Sequence, residues 1–238
     1  MRLVAVVAAL LATTALARAE PAAGGIKGTV IFEGEAPDRP AIDRTSDPAC
    51  GKTTRLSDDI VVTKGKLAGV VVRVTGGTPP PPRSTSKDPL PPVVLEQTDC
   101  AYAPRVFVLE PGQGATVRNR DNTFHTVTGT LRGKQLFNKP QPRQAADIAL
   151  GAPDGSPGEV LELACNVHPW MHAYGVLADN AFHAVTGEDG TFEITGLAPG
   201  KYTLEAWHPI LGTRTLDVVI GRGPNKAIAN ARLSFRRP

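Results

Sequence analysis

A short segment in the second half of the chain carries three side chains that bind soft metals. Cys165, His168 and Met171 stand three residues apart in C-N-V-H-P-W-M, and Met171 is the only methionine besides the initiator. A thiolate, an imidazole and a thioether on one stiff loop form the kind of ligand set that selects copper. The segment therefore predicts a metal-binding loop.

His125 is the candidate for the remaining ligand. It lies about 40 residues upstream, in N-R-D-N-T-F-H-T-V, after the predicted strand A-T-V-R-N. One thiolate and two imidazoles in a trigonal arrangement, with a weak axial thioether, form the ligand set of blue-copper electron-transfer sites. The other histidines, His172, His183 and His208, are expected to be structural or solvated.

The elements that must position these residues are predicted to be strands. Aromatic residues make up 5% of the chain, against 24 Gly and 22 Pro, which favours many short strands joined by tight turns. Strands are predicted at 28–33, 60–63, 67–75, 93–96, 105–110, 115–119, 160–164 and 174–178. A short helical turn is predicted at 144–150. The strand before Cys165 delivers the thiolate at its end, and Pro169 stiffens the turn that follows.

The chain around these residues resembles the type 1 (blue) copper proteins, the cupredoxins, of the amicyanin- or plastocyanin-like kind. The resemblance rests on the C-x-x-H-x-x-M loop with Pro169 after the His, and on Y-A-P-R-V-F-V-L-E-P-G-Q-G-A-T-V-R-N-R-D before His125. It implies a cupredoxin-like Greek-key β-sandwich that holds one copper per chain. His125, Cys165 and His168 would be equatorial ligands and Met171 the axial one. The layout also resembles exported proteins often labelled methylamine-utilisation proteins.

One position departs from the amicyanin-like pattern. Relatives commonly carry Asn directly after the first His, where this chain has Thr126. A hydroxyl can still donate one hydrogen bond. We therefore expect the site to form with altered surroundings and an altered reduction potential.

A second resemblance covers the C-terminal section. G-T-F-E-I-T-G-L-A-P-G-K-Y-T-L, at 190–204, is similar to the carboxypeptidase regulatory-like (Ig-like) β-sandwich family, and G-T-V-I-F near the start resembles its early strands. The copper sandwich is expected to be inserted in this second sandwich or packed upon it. The expected division is a signal peptide (1–19), N-terminal strands (20–75), a Pro-rich loop or linker (76–92), a cupredoxin domain (93–180) and a regulatory-like β-sandwich (181–238).

The N-terminal segment has the pattern of a cleaved secretory signal. An early Arg precedes an apolar run, and small residues end at Ala19. A periplasmic or secreted protein with no stable membrane span in its mature form is expected. Without Arg2 and Arg18, the 26 basic residues fall to 24 against 23 acidic ones. This near balance gives no sign of a nucleic-acid-binding face.

Three cysteines are an odd number for an exported protein. The simplest pairing joins Cys50 to Cys100 and leaves Cys165 unoxidised. On spacing alone, pairings of Cys165 with either of the others stay open.

The expected function is one-electron transfer between redox proteins, such as a cytochrome and a periplasmic dehydrogenase or oxidase, with no catalytic role. An exposed edge of His168, beside Trp170, is the expected exit for the electron. Leu161 stands where a binuclear copper centre needs a second Cys, and H-x-H, H-E-x-x-H and C-x-x-C-H are missing. Two alternatives stay open: a copper carrier or storage module, and a metal-free structural β-protein with Cys165 in a disulfide.

Overall fold

The computed structural model describes residues 24–77, 89–223 and 228–237. Within these ranges the chain forms strands, turns and loops but no helix, and hence no helix that could cross a membrane. The all-β prediction is confirmed. The predicted signal segment 1–19, and residues 78–88 of the Pro-rich stretch, lie outside the described residues.

The described residues contain eighteen strands in four sheets. In chain order they are β1 (Gly24–Phe32), β2 (Val62–Thr63), β3 (Lys66–Leu67), β4 (Val71–Gly77), β5 (Val93–Thr98), β6 (Ala101–Ala103), β7 (Val106–Leu109), β8 (Ala115–Asn119), β9 (His125–Leu131), β10 (Lys134–Gln141), β11 (Ile148–Leu150), β12 (Val160–Ala164), β13 (His172–Leu177), β14 (His183–Val185), β15 (Thr191–Leu197), β16 (Gly200–His208), β17 (Gly212–Ile220) and β18 (Ile228–Phe235).

Strands from both ends of the chain form one sandwich, here called the outer sandwich. One of its sheets has the order β15-β1-β3-β2, with β18 also paired to β1, and the other has the order β14-β4-β16-β17. The partners of β1 are antiparallel β15 and parallel β18. The segment between β4 and β14 therefore lies, in sequence, between the two parts of the outer sandwich.

Alternation of side chains builds the core of the outer sandwich. Along β16, Tyr202, Leu204 and Ala206 are buried while their neighbours are more exposed, since successive strand residues point to opposite faces of a sheet. Ile26 on β1 and Leu233 on β18 belong to the same buried cluster. Both sheets thus cover one apolar layer.

The intervening strands form a second sandwich, here called the inner sandwich. Its larger sheet has the order β10-β9-β12-β13-β7 and its smaller sheet the order β11-β8-β5-β6. Leu95, Val117, Val127 and Leu163 meet in a core between them. Cys165 and Met171 belong to this same buried cluster. The candidate metal ligands therefore lie at the end of an apolar layer, and solvent does not surround them.

A smaller apolar cluster joins the two sandwiches. Val71 on β4 of the outer sandwich packs with Val106 and Val108 on β7 and Val176 on β13. On the same face of β4, Arg73 donates two hydrogen bonds to Glu205 Oε1, at 3.0 and 2.8 Å. The packing fixes one face of the inner sandwich against the outer one.

A long connection between β1 and β2, called the strap (residues 33–61), leaves the outer sandwich and runs over the inner one. A disulfide joins Cys50 of the strap to Cys100 of the inner sandwich, as the cysteine count predicts, and Cys165 is a free, buried cysteine. Arg44 of the strap donates to the carbonyl oxygen of Asp99 at 2.7 Å and to its carboxylate at 3.0 Å. The strap is therefore anchored at the disulfide and also six residues before it.

The prediction of a helical turn at 144–150 is wrong. Ile148–Leu150 is strand β11, which pairs antiparallel with β8 at the edge of the smaller inner sheet. Backbone hydrogen bonding to β8 decides the conformation of this short apolar segment, in which local periodicity is a weak signal.

Replacing both Cys50 and Cys100 by Ala is expected to lower the free energy of unfolding of the metal-free protein by about 4 kcal/mol, because the bridge closes a loop across 50 residues of sequence and restricts the unfolded chain. Urea unfolding of the wild type and the double variant measures the difference. Wild-type protein unfolded under reducing conditions is the control and should match the variant. An unchanged unfolding midpoint would contradict the prediction.

Candidate metal centre

The Cys-His-Met segment is the turn between two antiparallel strands. β12 ends at Ala164, β13 begins at His172, and these two residues are paired in the ladder. Within the turn, the Cys165 amide donates to the Met171 carbonyl at 3.2 Å, and the Met171 amide donates to the His168 carbonyl at 2.9 Å. The turn is closed by its own backbone, so its side chains project from a defined frame.

His125 reaches the same place from the neighbouring strand. It is the first residue of β9, which pairs antiparallel with β12 from Leu131↔Leu161 to Thr128↔Ala164. The start of β9 and the end of β12 therefore lie side by side. This pairing brings His125 next to Cys165 although the two are 40 positions apart in the sequence.

Three donor atoms of the predicted set converge. The Nδ1 atoms of His125 and His168 are 3.0 Å apart, and the Sγ of Cys165 lies 3.8 Å from the first and 3.7 Å from the second. A point equidistant from the three atoms lies about 2.0 Å from each, within the range of metal–imidazole and metal–thiolate bonds, about 2.0–2.3 Å. The spacing of the donors thus fits a single metal ion.

The donors are shielded from water. His125 is 0% exposed, His168 1% and Cys165 3%. Met171, the predicted axial ligand, is also 1% exposed and packs in the same cluster as Cys165. The structure therefore gathers all four predicted residues at one end of the inner core, with the two imidazoles and the thiol in direct contact.

Thr126 ties the two ligand-bearing segments together. Its amide donates to Cys165 Sγ at 3.4 Å, and its hydroxyl accepts a hydrogen bond from the Asn166 amide at 2.8 Å. The hydroxyl at this position therefore links the β9 segment to the Cys-His-Met turn. An amide hydrogen bond to the sulfur also stabilises its thiolate form.

Each imidazole has a carboxylate on its outer nitrogen. Nε2 of His125 lies 2.9 Å from Asp121 Oδ2, and Nε2 of His168 lies 3.0 Å from Asp47 Oδ2. A carboxylate accepts from an Nε2–H, so the inward Nδ1 keeps its lone pair for a metal, the arrangement found behind many metal-binding histidines. In their neutral forms, both imidazoles would therefore present Nδ1 for ligation.

The prediction of an exposed His168 edge is wrong. Cys50 Sγ of the strap lies 3.6 Å from His168 Nε2, Asp47 hydrogen-bonds that nitrogen, and the Trp170 ring lies 5.2 Å from the imidazole between centroids. Trp170 in turn donates its indole N–H to the Cys100 carbonyl at 3.0 Å. The disulfide and the strap cover the edge that the sequence places at the surface.

Two carboxylates that contact the candidate site are not predicted from the sequence. Asp121 precedes His125 by four residues, and this spacing is a usable local signal. Asp47 lies 121 residues from its partner His168, and nothing in its surroundings D-P-A-C-G indicates a metal site. Only the fold brings it there.

The site holds its groups in a charged form before any metal binds. Burial lowers the pKa of His125, but its hydrogen bond to Asp121 and the nearby Cys165 thiolate raise that pKa to about 9. Burial raises the pKa of Cys165, but hydrogen bonds from His125 and the Thr126 amide lower it to about 6. An imidazolium and a thiolate therefore stabilise one another near neutral pH.

The remaining histidines do not join this set. His172 is exposed and its Nε2 contacts the Pro169 carbonyl at 2.7 Å. His183 lies on β14. His208 is buried, its Nδ1 accepts from the amides of Ile210 and Leu211, and burial lowers its pKa to about 4.

No protein-family model and no curated protein matches this chain. Solved structures do match parts of it. A novel purple cupredoxin from Nitrosopumilus maritimus is 19% identical over 36% of this chain and 99% of its own, with a TM-score of 0.30. An oxidized mutant of amicyanin is 15% identical over 40% and 88%, with a TM-score of 0.32. A Cu-containing nitrite reductase from Thermus scotoductus is 14% identical over 63% of this chain and 28% of its own, with a TM-score of 0.31.

In the metal-free protein, the ultraviolet absorbance of the Cys165 thiolate is expected to rise with a midpoint near pH 6. His125→Ala should move the midpoint upward, because the lost hydrogen bond no longer offsets the effect of burial. Cys165→Ser, which has no thiol outside the disulfide, supplies the baseline. A wild-type midpoint at the ordinary thiol pKa would show that the hydrogen bonds from His125 and the Thr126 amide do not stabilise the thiolate.

Proposed function

We propose that this chain is an exported mononuclear type 1 copper protein that transfers single electrons. One observation carries the proposal: two imidazole nitrogens and a thiol sulfur converge within 3.0–3.8 Å of one another in a buried site. A small set of two imidazoles and one thiolate, with a thioether in the same cluster, is the combination that blue-copper sites use.

In this proposal His125, Cys165 and His168 would be the main ligands of one copper ion per chain, and the thioether of Met171 would be the weaker fourth donor. Copper bound there would supply a one-electron redox couple with a cysteine thiolate in its coordination sphere. The donors fit this role because both imidazoles present Nδ1 inward, while Asp121 and Asp47 hold their outer nitrogens.

The protein's own part is to keep the donors in one geometry. β9 and β12 fix His125 and Cys165 through backbone hydrogen bonds, and the closed turn fixes His168. The amide of Thr126 holds the sulfur. A rigid, water-excluding donor set has little freedom to rearrange when the charge at its centre changes, which favours fast electron exchange over ligand substitution.

Burial favours electron transfer over the alternatives. A carrier must release its metal to a partner and a catalyst must admit a substrate, and both need an opening at the metal. Here the three donors are between 0% and 3% exposed, and the strap covers the His168 side. The free Cys165, with Cys50 and Cys100 joined to one another, also opposes the metal-free alternative in which Cys165 is oxidised.

Export and redox partners complete the proposal. The N-terminal pattern and a disulfide both suit an oxidising compartment such as the periplasm. The partners would be redox proteins, a cytochrome or a periplasmic dehydrogenase or oxidase, that dock weakly. Since the strap covers His168, electrons would cross the strap or the half-buried Trp170.

Adding Cu(II) to the mature protein is expected to produce an intense visible thiolate-to-copper absorption that saturates at one copper per chain. Cys165→Ser should abolish the band, because the transition needs the sulfur, and His125→Ala should weaken it or change its shape. Absorption titration with Cu(II) measures both effects.

His172→Ala is the matched control, since this exposed imidazole directly follows the turn but lies outside the donor set. It should leave the band unchanged. Only the pale absorption of ordinary cupric ions in the wild type would refute the proposed function.

Met171→Leu should keep the intense band and raise the reduction potential, because the equatorial donors remain while a donor that stabilises Cu(II) is lost. Voltammetry of the copper-loaded variant and wild type measures the change. Identical potentials would show that Met171 is core packing and not a ligand.

A further inference from the structure

The strap places the carboxylate of Asp47 against His168, a candidate ligand in the inner sandwich. Asp47 Oδ2 accepts from His168 Nε2 at 3.0 Å and from the Thr123 hydroxyl at 2.6 Å. Its other oxygen accepts the Ala49 amide at 2.8 Å. Both oxygens are therefore committed, one to its own turn in the strap and the other to the metal site.

The strap turn is itself held firmly. The Asp47 carbonyl accepts the amides of Cys50 and Gly51, both at 3.0 Å, and the disulfide follows at once. Arg44, at the start of the turn, is 2% exposed and is bound to Asp99 and Thr53. The carboxylate is thus presented by a fixed backbone rather than by a mobile loop.

The charge of Asp47 is directed at His168. Its side chain is 20% exposed, and among the described ion pairs its partner is His168, whose side chain is 1% exposed. The neighbouring guanidinium of Arg44 is directed at Asp99 instead. A negative charge in a poorly solvated position interacts more strongly with a nearby charge than one in water does.

Building on the proposed copper site, we propose that Asp47 is a positioning residue that fixes the Nε2–H tautomer of His168 and lowers the reduction potential of the centre. A carboxylate on the outer nitrogen makes the imidazole a stronger donor. Its negative charge favours the more positive metal state, Cu(II), over Cu(I). The strap therefore sets both the orientation of one ligand and the balance between the two oxidation states.

Asp47→Asn separates this role from packing. The Ala49 amide needs an oxygen acceptor, so the Asn side-chain oxygen must stay on that side and its NH2 group must face His168. There the NH2 group would oppose the Nε2–H of His168, and two donors cannot hydrogen-bond to each other. Asp43→Asn is the matched control: Asp43 is an exposed residue of the same strap whose carboxylate binds Thr45. It removes the same charge without touching a ligand.

The first readout is the reduction potential of the copper-loaded full chain. Asp47→Asn should raise it, reflecting at least a tenfold fall in the ratio of Cu(II) to Cu(I) affinity, or about 59 mV for a one-electron couple. Asp43→Asn should leave the potential at the wild-type value. Thr123→Val, which keeps the Asp47 charge and removes one donor to it, should not raise the potential.

The second readout needs no metal. Nitrogen NMR of the metal-free protein should show the Nε2–H tautomer of His168 in the wild type, Asp43→Asn and Thr123→Val, and a shift toward Nδ1–H in Asp47→Asn. If Asp47→Asn keeps the wild-type tautomer, or matches Asp43→Asn in potential, the positioning role is overturned. A wild type without the intense band but with the expected tautomer change would refute the copper function and leave the positioning of His168 by Asp47 supported.

Discussion

The antiparallel pairing of β9 with β12 is the contact on which the metal site depends. It sets the start of β9 against the end of β12, where the candidate ligands His125 and Cys165 begin the one strand and directly follow the other. Gly129 lies in the middle of the pairing, opposite Leu163, where the Phe137 ring of β10 packs so closely that it leaves no room for a Cβ. Shape as well as hydrogen bonding therefore fixes the register, and a slip of one residue would put the two candidate ligands on opposite faces of the sheet.

Charge is the second constraint on the site. A thiolate and two carboxylates, from Cys165, Asp47 and Asp121, surround two imidazoles with little water to screen them. Buried charges are tolerated when they are paired, and without a metal a proton on His125 serves that purpose. A cation at the centre would replace this proton. The carboxylates would thus favour the binding of a metal ion and the more highly charged of its oxidation states.

Local sequence pointed to the four candidate ligands that the structure brings together, but not to their surroundings. Cys165, His168 and Met171 stand on one short turn after an apolar strand, so spacing alone is informative. Strands β9 and β10 were not predicted, because the first carries a Gly among threonines and the second is an exposed edge strand with Pro140. Such segments become strands through their pairing with neighbours rather than through their own propensity. The sequence of the strap does not predict that it covers the candidate site, because Arg44 and Asp47 contact residues that are 55 and 121 positions away. The burial of His168 under the strap is not predicted for the same reason.

The parallel pairing of β1 with β18 has a consequence for the order in which the molecule assembles. The two strands stand at opposite ends of the chain, and contacts so distant in sequence form late, because a long loop must close before they are gained. The inner strands are contiguous and can pair before the last strand arrives. We therefore expect the strap, which is attached to β1, to reach across to a sandwich that has already formed, so that its disulfide fastens an early part of the chain over the completed Cys-His-Met turn.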